Sequence, residues 1–127
     1  MGENKDQIWE VIWTEVVGTF VFVLFILQVT GKKTAPPDLG TFGVFGIVLN
    51  LWALCNVVWY PGASFNPALA IGCSIFQYWH WDIANRGILL FYMPWYIVGA
   101  FAGGAAAGMF HWFLSSLYPD KGEERLL

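Results

Sequence analysis

The sequence predicts an all-α membrane protein with three transmembrane helices and one shorter, re-entrant half-helix. Two observations carry this prediction. Hydrophobic residues make up 57% of the 127-residue chain and charged residues only 12%, whereas a soluble domain usually carries about 25% charged residues. The apolar residues also fall into four stretches, and one of these is too short to cross a bilayer as a helix.

The first two apolar stretches are long enough to span a membrane. They cover residues 8–29 and residues 42–60, and about 20 apolar residues in a helix cross a hydrocarbon core of roughly 30 Å. Lys32 and Lys33, followed by two prolines, lie between them. We therefore expect two transmembrane helices joined by a polar loop.

A break separates the second stretch from the third, which covers residues 66–78. Pro61 and Gly62 end the preceding helix. Asn66 is a good N-cap, and Pro67 is favoured at the first helical position because its missing N–H would have no helical partner there. A dozen helical residues rise only about 18 Å. The third stretch is therefore predicted to be a half-helix that begins near the membrane midplane.

The fourth stretch, residues 87–117, is long and rich in small residues. Two Gly-x3-Gly pairs, Gly99 with Gly103 and Gly104 with Gly108, allow another helix to approach closely in a membrane. We expect all four glycines to form helix-packing contacts. The transmembrane domain then covers residues 1–118, followed by a polar C-terminal tail at residues 119–127.

Glu15 lies about 10 Å into the first stretch by helical rise. A carboxylate at that depth is costly and usually marks a functional or structural contact. In one interpretation it accepts hydrogen bonds from the irregular backbone ahead of Asn66, which would otherwise be unpaired in hydrocarbon. In the other, the helix begins later and Glu15 lies at the membrane interface.

Several function classes find no support in the residues. No nucleophile–base pair, metal-ligand spacing or phosphate-binding loop is visible. The sequence therefore predicts no enzyme, no cofactor and no metal site. A net charge of −3 argues against a nucleic-acid partner.

Three motifs stand in order along most of the chain. Glu15, Gly18, Thr19 and Phe20 form an E-x-x-G-T-F pattern, residues 62–68 read G-A-S-F-N-P-A, and residues 96–103 read Y-I-V-G-A-F-A-G. Together they resemble one half of a protein of the aquaporin (major intrinsic protein) family. The resemblance implies that the first motif begins the half, that the second is its Asn-Pro-Ala loop, and that the third lies in its last helix.

The resemblance also implies roles for individual residues. Glu15 would brace the loop ahead of the half-helix, and Asn66 of the motif Asn66-Pro67-Ala68 would donate to water in the middle of a pore. Gly18, in the first motif, is expected to form a helix-packing contact like the glycines of the fourth stretch. An aquaporin protomer has two such halves in inverted orientation, whereas these 127 residues carry one Asn-Pro-Ala. Leu69 stands where the family's second motif is followed by an arginine. A complete pore therefore needs a second half.

Two functions remain open from the sequence. The chain is either half of a channel for water or a small neutral solute, completed by an inverted second copy or a homologous partner, or a non-conducting accessory subunit of a large membrane complex. A mitochondrial inner membrane is one candidate location for such a complex, and the lipid bilayer is a partner in both cases. The distribution of lysine and arginine weakly favours an N-terminus outside and a C-terminus inside.

Overall fold

Four helices make up the computed structural model, which describes residues 5–36, 39–57, 63–80 and 86–118. They are α1 (Lys5–Thr30), α2 (Gly40–Val57), α3 (Pro67–His80) and α4 (Arg86–Leu117). By length and composition, α1, α2 and α4 can each cross a membrane. The 14 residues of α3 rise only about 21 Å. The predicted fold class, all-α with three spans and a half-helix, is confirmed.

The described part of α2 reaches Val57. The predicted end of the second stretch, at residue 60, and the start of the break, at Pro61 and Gly62, lie outside the described part of the chain. Residues 63–66 are irregular, and α3 begins at Pro67, as expected for a proline at the first helical position. The polar tail at residues 119–127 also lies outside the described part.

α1 is the central helix of the described structure. It packs along α4 and against α2, while α3 packs on α4. Among the described residues, α2 contacts no helix other than α1. At that contact, a Cβ added to Gly46 would lie 3.2 Å from Cζ of Phe25, so the glycine lets the two helices approach. α1 therefore connects α2 to the rest of the molecule.

Two glycines of α4 allow its close approach to α1. A Cβ added to Gly103 would collide with the carbonyl oxygen of Val16, and one added to Gly99 would lie 2.6 Å from Cβ of Glu15. Neither position has room for any residue other than glycine without a shift of the backbone. The contact is dense, since Ala107 on the same helix is completely buried.

The second glycine pair of α4 does not share this contact. A Cβ added to Gly104 or Gly108 would meet no described atom within 4 Å. The packing contacts expected at these two residues are therefore absent from the described part of the chain. The physical reason is helical geometry, because Gly103 and Gly104 point about 100° apart around the helix axis and cannot both face α1.

A pair of matched substitutions tests this assignment. Gly103→Ala should lower the midpoint of thermal unfolding, because overpacking a well-filled contact typically costs about 1–3 kcal/mol. Gly104→Ala is the control. It should leave the midpoint unchanged or raise it, since alanine favours a helix more than glycine does. Tryptophan fluorescence of both variants in the same detergent measures the effect, and equal midpoints would contradict the assignment.

Candidate functional site

The irregular segment before α3 has an unusual backbone. Phe65 adopts a φ of +48°, in the left-handed region that bulky residues rarely occupy. Its side chain is nevertheless buried. A strained conformation of this kind persists only where the surroundings hold it in place. The contacts of residues 63–66 identify what holds it.

Glu15 of α1 provides the first of these contacts. Its Oε1 accepts a hydrogen bond from the backbone N–H of Ser64, and its Oε2 accepts one from the backbone N–H of Phe65 at 2.9 Å. The hydroxyl of Ser64 donates to Oε2 as well, at 3.2 Å. Glu15 is completely buried within the protein, and α1 begins ten residues before it, at Lys5. Its carboxylate pairs two backbone N–H groups that the loop itself leaves without helical partners.

Gly18 of α1 provides the second contact. A Cβ at this position would collide with Cε1 of Phe65 and lie 2.8 Å from Cδ1. The ring of Phe65 therefore lies directly on the backbone of α1, one helical turn after Glu15. The sequence predicts a packing role for Gly18, and the structure places the Phe65 ring in that position. Nothing in the sequence pattern indicated that Phe65 would be the partner.

Asn66 forms the N-cap of α3. Its Oδ1 accepts a hydrogen bond from the backbone N–H of Ala68 at 2.9 Å, and its carbonyl oxygen accepts one from the N–H of Ala70 at 3.0 Å. Because an N–H donor requires an oxygen acceptor, the first bond fixes the orientation of the amide. The amide NH₂ group then points away from the helix, on a surface where both Asn66 and Ala68 are exposed.

A cavity of about 590 Å³ lies beside the loop, between α1, α3 and α4. Ala63, Ser64 and Leu69 line it near the loop. Asn66 is not among its lining residues. Leu69 is half exposed, at 52%, and gives this position no charge.

The described residues contain no group of three or more His, Cys, Asp or Glu side chains that could hold a metal ion. The chemical groups that the segment offers are therefore hydrogen-bond donors and a helix end. The helix N-terminus adds partial positive charge beside the Asn66 amide. Such a site can bind a hydrogen-bond acceptor that is neutral or negatively charged.

The chain is similar to curated proteins that are named as aquaporins. The protein named Probable aquaporin AqpM of Archaeoglobus fulgidus is 30% identical over 110 residues, which cover 84% of this chain and 40% of that protein. Aquaporin AqpM of Methanothermobacter marburgensis is 29% identical over 115 residues, covering 85% of this chain and 42% of that protein. No protein-family model and no solved structure matches the chain.

The chain resembles a half-aquaporin. It spans about two fifths of the length of the curated relatives it matches. This similarity, together with three helices that are long and apolar enough to cross a bilayer, makes it an integral membrane protein. The relatives are named as aquaporins, and none of them is named as an enzyme.

Replacing Glu15 should loosen the loop of this aquaporin-like chain. In Glu15→Ala, the N–H groups of Ser64 and Phe65 lose their acceptor, and each buried unpaired group costs about 1–3 kcal/mol. We expect a lower thermal midpoint and faster hydrogen exchange at these two amides. Glu10→Ala is the matched control, because Glu10 is an exposed carboxylate on the same helix. Unchanged exchange at Ser64 and Phe65 in Glu15→Ala would contradict the bracing role.

Gly18 is open to an independent test. Gly18→Ala places a methyl group against the Phe65 ring and should destabilise the fold, since overpacking typically costs about 1–3 kcal/mol. Gly72→Ala is the control, as a Cβ at Gly72 meets nothing described within 4 Å. Combining Gly18→Ala with Phe65→Leu should cost less than the sum of the two single changes, because the smaller side chain relieves the clash. Additive losses in thermal unfolding would argue against direct contact.

Proposed function

We propose that this chain supplies one half of a channel for water or a small neutral solute, and that a second, inverted half completes the pore. The exposed amide of Asn66 at the start of α3 carries the proposal. Its oxygen is used within the chain, so its NH₂ group is available to donate to a molecule outside it. This division of the amide suits a donor to passing water.

The position of Asn66 along α3 supports a need for a second half. Trp79, 71% exposed near the other end of α3, suits the level of the lipid headgroups. Asn66 precedes it by 13 residues, or about 20 Å of helical rise. The amide then lies within the hydrocarbon core, where unsatisfied polar groups cost several kcal/mol each. Water in a pore, or protein of the second half, therefore covers it.

The charges around Asn66 favour neutral solutes over cations. The N-terminus of α3 presents the positive end of its helix dipole, and positive half-helix ends act as electrostatic barriers to protons and cations in channels. Leu69 adds no charge where the aquaporin resemblance implies an arginine in one of the two halves. In this proposal, any charged selectivity residue comes from the second half.

The second candidate function is a non-conducting accessory subunit of a larger membrane complex. α2 does not separate the two functions, because its uncovered large side chains, such as Phe42 (81% exposed) and Trp52 (66% exposed), can face either lipid or a protein partner. A mitochondrial inner-membrane location and an outside N-terminus stay predictions from the sequence.

Water flux through liposomes separates the two functions. Reconstitution of the purified chain in both orientations allows inverted copies to pair. If they complete a pore, we expect liposomes that contain the chain to shrink faster than empty liposomes when water flux is followed in a stopped-flow instrument. Asn66→Asp should abolish this flux, because aspartate is as good an N-cap as asparagine but its carboxylate has no N–H to donate.

Asn56→Asp is the matched control for the added charge. Asn56 lies on α2, where its amide nitrogen donates to the carbonyl oxygen of Trp52 in the same helix. This variant should conduct like the unmodified chain. The accessory function replaces the channel if two results are found together. Liposomes that contain the unmodified chain shrink no faster than empty liposomes, and the chain co-purifies from its native membrane in fixed stoichiometry with a larger complex.

A further inference from the structure

A second, apolar groove lies between α3 and α4, with a volume of about 400 Å³. Its α3 lining includes Ile71, Ser74, Ile75 and Tyr78, which share one helix face because they are three, four and seven residues apart. Ile71 and Tyr78 are about 10 Å apart along the helix axis. We call this feature the α3–α4 groove. Its lining residues on α3 therefore run along the helix axis, the direction in which an extended hydrocarbon chain beside the helix would lie.

Arg86 places a positive charge beside Tyr78, at one end of the α3–α4 groove. On α4, Leu90 and Met93 line the groove, and Arg86 precedes them by four and seven residues, which places it on the same helix face. The guanidinium carbon of Arg86 lies 5.1 Å from the centre of the Tyr78 ring. The aromatic ring therefore holds the cation where the end of α3 meets the start of α4.

The Arg86 guanidinium retains hydrogen-bonding capacity. Its Nε has no hydrogen-bond partner within the described part of the chain, and it is covered by protein. Arg86 as a whole is only partly buried, so a ligand would approach the two terminal nitrogens of the guanidinium. The aromatic face of Tyr78 attracts the positive charge, but it provides no lone pair to accept hydrogen bonds from the N–H groups in the plane of the guanidinium. A phosphate provides such lone pairs, and arginine binds phosphate with two parallel hydrogen bonds. Trp79, which lines the same groove, suits the depth at which lipid phosphates lie.

We propose that the α3–α4 groove binds an anionic phospholipid, with one acyl chain along the groove and the phosphate on Arg86. The apolar lining suits the chain, and the cation at the groove end selects an anionic headgroup by charge complementarity. This inference is independent of channel function, because the groove is built from faces of α3 and α4 that do not include Asn66. In this proposal, the bound lipid fills the space between α3 and α4.

Thermal unfolding of the full chain in detergent tests the proposal. Added phosphatidylglycerol should raise the unfolding midpoint more than phosphatidylcholine with the same acyl chains. A lipid that binds the folded chain more tightly than the unfolded chain stabilises the folded state, and the anionic lipid should bind more tightly. Arg86→Gln should remove this difference between the two lipids. Lys32→Gln is the matched control and should retain it, since this substitution removes the same charge from the loop after α1.

The Lys32→Gln control and two further measurements distinguish a lipid site from a general effect of charge. If Lys32→Gln loses the difference as fully as Arg86→Gln, general surface charge accounts for the effect and the proposal fails. If inorganic phosphate alone raises the midpoint of the unmodified chain by the same amount, the acyl-chain site is wrong. Ile71→Trp fills the groove and should reduce the shift caused by phosphatidylglycerol.

Native mass spectrometry keeps the proposal testable if Arg86→Gln does not fold. The unmodified chain should retain phosphatidylglycerol in preference to phosphatidylcholine, and Arg86→Lys should retain it at a reduced level, because lysine keeps the charge but not the bidentate geometry. Equal retention of both lipids by the unmodified chain would overturn the proposal.

Discussion

The structure depends on the pair of hydrogen bonds from the backbone of Ser64 and Phe65 to the carboxylate of Glu15. Irregular backbone inside a membrane is tolerated only where protein or enclosed water satisfies its polar groups. A buried carboxylate is itself costly unless it is hydrogen-bonded. Each group removes the other's penalty, so neither the loop nor Glu15 would be stable at this depth alone. The position of the start of α3, and therefore of Asn66, depends on these hydrogen bonds.

Two glycines allow Glu15 and the loop to come close enough to form these hydrogen bonds. Gly18 lets the ring of Phe65 lie on the backbone of α1, and Gly99 lets α4 close over the stem of Glu15, where any Cβ would be 2.6 Å from Cβ of the glutamate. α1 therefore receives the loop and α4 at the same level. A single turn of α1 holds the carboxylate, the glycine and both neighbouring elements, which explains why the first motif is compact in sequence.

Local sequence signals predicted the helices well and their contacts only in part. The cap at Asn66 and the proline at Pro67 fixed the start of α3, because both act through backbone groups within a few residues. The left-handed conformation of Phe65 could not be predicted, since it is imposed by contacts with α1 some 50 residues earlier in the chain. Likewise, two adjacent glycine pairs on α4 are equivalent as sequence. Only tertiary packing distinguishes Gly103, which meets α1, from Gly104, which meets nothing described.

The contacts of the described part of the loop, residues 63–66, come from within this chain, and this bears on how function can be inferred from them. Glu15 satisfies the N–H groups of Ser64 and Phe65, and the oxygen of Asn66 satisfies the N–H of Ala68. A channel half and an accessory subunit would both need the Glu15 contact in order to fold. Its presence is evidence of a shared architecture and carries no information on conduction. The amide NH₂ of Asn66 is different, because the fold uses only the oxygen of that side chain as a cap. Conduction can depend on this donor although the fold does not. Removing the donor at Asn66 therefore distinguishes a channel half, which would lose conduction, from an accessory subunit, which would be unaffected.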